Sequence, residues 1–112
     1  MKFLSIYKSA KPEGIPPTQG EMEQMGALVE EWKSAGVLLA AEGCLPSATG
    51  ARVRQTKGKV SVTDGPFTES KEIIGGFALM EVESKQNAVE LIQRFLTLAG
   101  DGECEIRQIY GD

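Results

Sequence analysis

Lys59-Val60-Ser61-Val62-Thr63-Asp64-Gly65-Pro66-Phe67-Thr68-Glu69-Ser70-Lys71-Glu72-Ile73-Ile74-Gly75-Gly76-Phe77 changes character three times. It opens as an alternating strand and breaks at Asp64-Gly65-Pro66. A charged polar run follows, and the chain re-enters apolar sequence through a double glycine. Immediately upstream, Ala51-Arg52-Val53-Arg54-Gln55-Thr56 alternates in the same way, and only Lys57-Gly58 separates the two runs. Two alternating segments joined by a Gly-containing pair predict a hairpin in which Thr56 opposes Lys59, Arg54 opposes Ser61 and Arg52 opposes Thr63. Val53, Gln55, Val60 and Val62 then share one face, with Arg52, Arg54, Thr56, Ser61 and Thr63 on the other.

On either side of this hairpin the chain repeats one pattern. In the first half, Phe3-Leu4-Ser5-Ile6-Tyr7 is a strand, and the Pro- and Gly-rich segment 8–17 is a loop, with a lid over a pocket mouth as its alternative. Thr18-Gln19-Gly20-Glu21 has the form of a capping box, so a helix starts there. Met22, Met25, Leu28, Val29 and Trp32 give that helix one apolar stripe for a sheet, or for a ligand cavity, and Gly36 ends it. A strand-length apolar run, 37–43, closes this half.

In the second half, Gly75-Gly76 allows a close backbone approach and leads into the strand 77–82. Ser84 caps a helix whose stripe is Ala88, Leu91, Ile92, Phe95 and Leu96, ending at Gly100, and the run 103–110 is the last strand. The order predicts one α+β domain over residues 1–112. It is ferredoxin-like, a split βαβ with an inserted β-hairpin, its antiparallel sheet carrying two helices on one face. Two helices cover only one side of a sheet, and runs 37–41 and 77–82 are apolar on both sides. A symmetric dimer packed sheet to sheet is therefore expected.

The 112 residues carry a formal charge of -4, and their twelve basic residues are scattered, which argues against nucleic acid as a partner. No apolar run is long enough to span a bilayer and no leader pattern opens the chain, so a cytoplasmic protein without a membrane partner is expected. Cys44 and Cys104 lack metal-knuckle or redox spacing. The sequence contains no histidine, which removes haem-histidine ligation, His-containing zinc sites and Ser-His or Cys-His nucleophile pairs. No cofactor motif is present, so none is expected.

Chemistry must therefore come from other groups. Arg52 and Arg54, two residues apart on one strand face beside the Ser61 hydroxyl, suit a carboxylate or an oxygen-rich planar ligand, or else form a solvated edge. Asp64 is a candidate base or a turn residue. Lys71 and Tyr7 are candidates to stabilise developing negative charge, and Glu42 is either a pocket acid or the point where its strand meets water.

Asp64-Gly65-Pro66-Phe67, the polar run after it, Gly75-Gly76-Phe77, Ala35-Gly36-Val37-Leu38, Ala41-Glu42-Gly43, Pro46, Arg52-Val53-Arg54 and the terminal Glu105-Ile106-Arg107-Gln108-Ile109-Tyr110 together resemble the DGPF-motif branch of the YCII-related proteins. The resemblance spans nearly the whole chain. It implies a dimeric α/β barrel of ferredoxin-like subunits, a cavity between sheet and helices, and a bacterial cytoplasmic setting. Better understood relatives are thought to pair a His with an Asp, and with no His here Asp64 is the one acid that carries over.

Two functions follow as expectations. The first is a cofactor-free enzyme doing proton transfer, of isomerase or lyase type, on a small polar or aromatic acid. Arg52 or Arg54 would hold the substrate, Asp64 would act as base, and Lys71 or Tyr7 would act as stabiliser. The second, which the resemblance supports, is a non-catalytic metabolite-binding or regulatory module associated with a sigma factor.

Overall fold

Capping and turn chemistry place the elements where local sequence asks for them. A computed structural model describes residues 1–68 and 73–111. Strand β1 (Lys2–Ser9) leads to α1 (Gln19–Ser34), then β2 (Leu38–Gly43), the hairpin strands β3 (Ala51–Thr56) and β4 (Lys59–Asp64), β5 (Gly76–Glu81), α2 (Lys85–Ala99) and β6 (Gly102–Gln108). At the head of α1 the capping box is complete: the Glu21 amide donates to Thr18 Oγ1 at 3.1 Å and the Thr18 amide donates to Glu21 Oε1 at 3.0 Å. The Asn87 amide donates to Ser84 Oγ at the head of α2. Gly36, with φ at 76°, follows the end of α1 as a left-handed residue that a side chain would strain.

The larger sheet runs β2-β5-β1-β6, every neighbouring pair antiparallel. Alternation along β1 turns Phe3, Ser5 and Tyr7 to the helices and Leu4 and Ile6 to the opposite side. On the helix side, Leu28 and Trp32 of α1 and Ala88 and Ile92 of α2 pack with Phe3, Leu38 and the fully enclosed Met80. Each of these large side chains contributes roughly 1.5–3 kcal/mol by leaving water. The α1 stripe is shorter than its periodicity suggested, because Met22, in the first turn, lies beyond the sheet and stays exposed.

The opposite side carries Leu4, Ile6, Phe77 and Leu79 in adjacent registers, and no described element covers it. Between Leu38 and Ala40 the β2 register slips, and Leu39 projects at this bulge, 48% exposed.

Strands β3 and β4 form a separate two-stranded sheet. Its register matches the pairing read from the sequence, with Arg52 opposite Thr63 and Arg54 opposite Ser61. Lys57 and Gly58 both have positive φ, which suits the right-handed twist of a two-residue hairpin turn. The base of this arm is fastened by an inter-loop network. Ser47 donates from its amide and its hydroxyl to the two Glu13 carboxylate oxygens, each at 2.6 Å, and Ser47 Oγ accepts from the Phe67 amide at 2.9 Å. Gly65 lies so close that an added Cβ would stand 1.7 Å from the Ser47 carbonyl oxygen, so the corner after β4 has no room for a side chain. Among the described residues no helix is long and apolar enough to cross a membrane.

Candidate functional site

Where the two helices diverge from the sheet they leave a cavity of about 260 Å³. Met25, Leu28, Val29 and Trp32 of α1 and Ile92 and Phe95 of α2 form its roof; Ser5, Tyr7, Leu38, Ala41, Ala78 and Cys104 form its floor. Glycines 43, 75 and 76 line one edge. That edge exists because the backbones meet there. A Cβ on Gly76 would lie 2.7 Å from the Glu42 carbonyl oxygen, which is the close approach the double glycine signalled.

Tyr7 lines this cavity with its ring packed on several sides. Its ring meets Phe95 edge-on, with centroids 5.1 Å apart at 85°. Glycines flank it: an added Cβ would stand 3.2 Å from its Cδ2 at Gly75 and 2.8 Å from its Cε1 at Gly102. The ring has little freedom to turn away from that place. Cys104, its register partner on β6, sits in the same floor. Burial pushes the Cys104 thiol up, and a hydrogen bond with the Ser5 hydroxyl opposes that shift in part. A raised thiol stays protonated at neutral pH and so adds no negative charge to the cavity. The indole Nε1–H of Trp32 is buried with no hydrogen-bond partner.

Of the residues the sequence singled out, Tyr7 and Glu42 line this cavity. Glu42 is exposed at its rim, and its register with Phe77 sets it on the opposite face of the sheet from Ala41. Arg52, Arg54, Ser61 and Asp64 all lie on the arm and line no part of the cavity. Arg54 and Ser61 are register partners, as expected, and both are exposed. The Arg52 guanidinium stacks over the Phe67 ring, 4.0 Å from its centroid. Asp64 ends β4 opposite Ala51 and is exposed. Lys71, with Glu69 and Glu72, lies outside the described residues. The cavity is largely apolar and lies under the helices, and none of Asp64, Gly65 and Pro66 lines it.

Sequence reasoning passed over Ser5, and its signal was a lone hydroxyl inside an apolar strand run. Ser47 and Glu13 were missed too. They lie in loops 34 residues apart, and nothing local pairs them.

Two helices roofing one antiparallel sheet, with a partly open hollow between the layers, define a small α+β protein. The YCII-related domain model matches residues 1–111, and the chain belongs to that family. It is 32% identical over 69 residues to an uncharacterised protein of Rhizobium meliloti (strain 1021), a match covering 62% of this chain and 56% of that relative's length. The fold resembles the solved structure of 5-chloro-2-hydroxyhydroquinone dehydrochlorinase from Burkholderia phenoliruptrix AC1100 in complex with 2,5-dihydroxybenzoquinone. That likeness has a TM-score of 0.51 at 19% identity, over 99% of this chain and 96% of the other.

Proposed function

We propose that this YCII-related protein is a homodimer of ferredoxin-like subunits, in the dimeric α/β-barrel arrangement, that takes a small ring-bearing molecule into the cavity beneath its helices and moves a proton on it without a cofactor. One observation carries the reading: a Tyr7 phenol fixed by Phe95 and two glycines in an otherwise apolar hollow. A preset hydroxyl in a water-poor site lowers the energy of an oxyanion as it forms, because it needs no reorientation during the reaction. The solved relative is an enzyme and was captured with a ring compound, which is consistent with this class of chemistry.

The strand order β2-β5-β1-β6 supports the ferredoxin-like description. The uncovered stripe of Leu4, Ile6, Phe77 and Leu79 supports the dimer, since a two-fold contact needs one self-complementary patch. A bacterial cytoplasmic setting belongs to the same proposal.

A second reading, a non-catalytic metabolite-binding module associated with a sigma factor, has its own support. Cys104 stands on the cavity side of the sheet with its thiol pushed up by burial, which makes it no ready base at neutral pH. Asp64 would have to act from the arm.

Native mass spectrometry of gently purified protein tests the proposal. Twice the chain mass plus a small bound molecule is the expected result; a bare monomer at micromolar concentration would overturn it. Incubating the released molecule with fresh protein then separates the readings, since an enzyme converts it and a binding module returns it unchanged.

A further inference from the structure

We infer that the cavity selects a neutral, single-ring compound bearing an oxygen, of the phenol type, and rejects the carboxylate-bearing analogue. This rests on the reading of the cavity as the ligand site and names the class of molecule it takes. Size sets the first limit. At about 260 Å³ the hollow exceeds the roughly 150 Å³ that holds benzene in an engineered apolar cavity, and it falls short of the ~300–1,000 Å³ typical of drug-sized ligands. One ring with one or two small substituents fills it.

Charge sets the second limit. Among the described residues no Lys or Arg lines the hollow, and both arginines of the hairpin lie on the arm. A carboxylate brought here would lose its water and meet aliphatic and aromatic walls with no counter-ion, a cost that exceeds what burying its ring returns.

Polarity sets the third. The walls are not wholly hydrocarbon: Ser5, Cys104 and Tyr7 bring a hydroxyl, a thiol and a phenol side chain to the lining. Hydroxyl, thiol and phenol groups can each donate to or accept from a ligand oxygen, so a ring that bears one fits better than bare hydrocarbon.

Trp32 is the single tryptophan of the chain and lines the cavity, so its fluorescence reports occupancy. Full-length protein is titrated at pH 7 with p-cresol and with benzoate, alongside an Ala41→Phe variant that fills the hollow. Saturable quenching by p-cresol, binding of benzoate at least about 100-fold weaker, and loss of the p-cresol signal in the variant are expected. If Ala41→Phe gives no cooperative unfolding transition, Ala41→Leu blocks the same space with less added volume. Benzoate binding as tightly as p-cresol, and lost in the blocked variant, overturns the charge selection while leaving the cavity as the ligand site. Failure of both probes to bind at millimolar concentration overturns the cavity reading itself.

Discussion

Met80, next to the last residue of β5, is 0% exposed, whereas Val53, in the middle of β3, is 71% exposed. Both belong to strands with alternating side chains, and both point away from the charged residues of their own strand. Only the body, however, has a second layer for its apolar face to meet. Alternation states which residues go together, and a partner layer decides whether they are dry. In the arm the valine face of Val53, Val60 and Val62 stays exposed among the described residues. The charges differ as well. Segment 51–64 holds four of the twelve basic residues and one of the sixteen acidic ones, leaving a net charge of +3 on the arm and −7 on the remainder. A basic arm with an apolar face, carried on an acidic body with an open sheet, is what the proposed dimer would use in both respects.

The widest contrast between body and arm is energetic. Trp32→Ala removes a buried ring from the roof and leaves a larger hollow. The expected loss of stability is about 3–5 kcal/mol, read from the urea midpoint at unchanged slope. Val62→Ala on the arm is expected to change stability by no more than about 0.5 kcal/mol at a protein concentration low enough to dissociate any dimer. A Val62→Ala penalty that approaches the Trp32→Ala penalty as concentration rises would show that the arm is half of a core completed by its twin.

The junction between body and arm comes next. Ser47→Ala takes one acceptor from the Phe67 amide and one donor from Glu13, leaving both partners less satisfied in a place where Ser47 itself is buried. A loss of about 1–3 kcal/mol is expected, with faster amide exchange across β3 and β4 than across β1 and β5. Uniform exchange throughout the chain would mean that arm and body unfold as one unit and that the network does not separately fasten the hairpin.

The junction also marks where sequence reading stops working. Helix starts at Thr18 and Ser84, the left-handed Gly36, the Lys57-Gly58 turn and the hairpin register are all local chemistry, decided within four residues, and all are legible in the chain. Strand alternation likewise puts Cys104 and Ile106 on the helix side of β6. The hollow under the helices is a property of how far two layers stand apart, which no single segment encodes. Tyr7 could be named as a candidate from its type, but its clamping by Gly75 and Gly102 depends on two strands paired on either side of it. Arg52, Arg54, Ser61 and Asp64 drew notice because charge clusters in sequence are easy to see. An apolar cavity has no charges to announce it, and its local signs were quiet ones: Ser5 inside Phe3-Leu4-Ser5-Ile6-Tyr7, the apolar stripe of α1 and the Gly75-Gly76 pair.

The smallest expected effect separates body from arm by pH. Arg94 of α2 donates to both carboxylate oxygens of Glu31 on α1, at 2.6 and 3.0 Å, a bidentate bridge across the roof. That hydrogen bonding holds the Glu31 carboxyl below its usual value of 4.5, with the charge of Arg94 acting in the same direction. A carboxyl whose folded pKa lies below its unfolded one contributes stability that is complete above pH 4.5 and disappears as pH falls through the lower, folded value. Glu31→Gln should therefore flatten the acid side of the stability profile, by a small amount because the bridge is exposed to solvent, and high salt should shrink the difference further. The neutral-pH midpoint should fall slightly, and amide exchange in the arm should not respond at all, since β3 and β4 touch neither helix. Acid profiles that coincide for Glu31→Gln and the parent would mean that the helices of the roof are joined by packing alone, and that the cavity beneath them keeps its shape without any ionic tie.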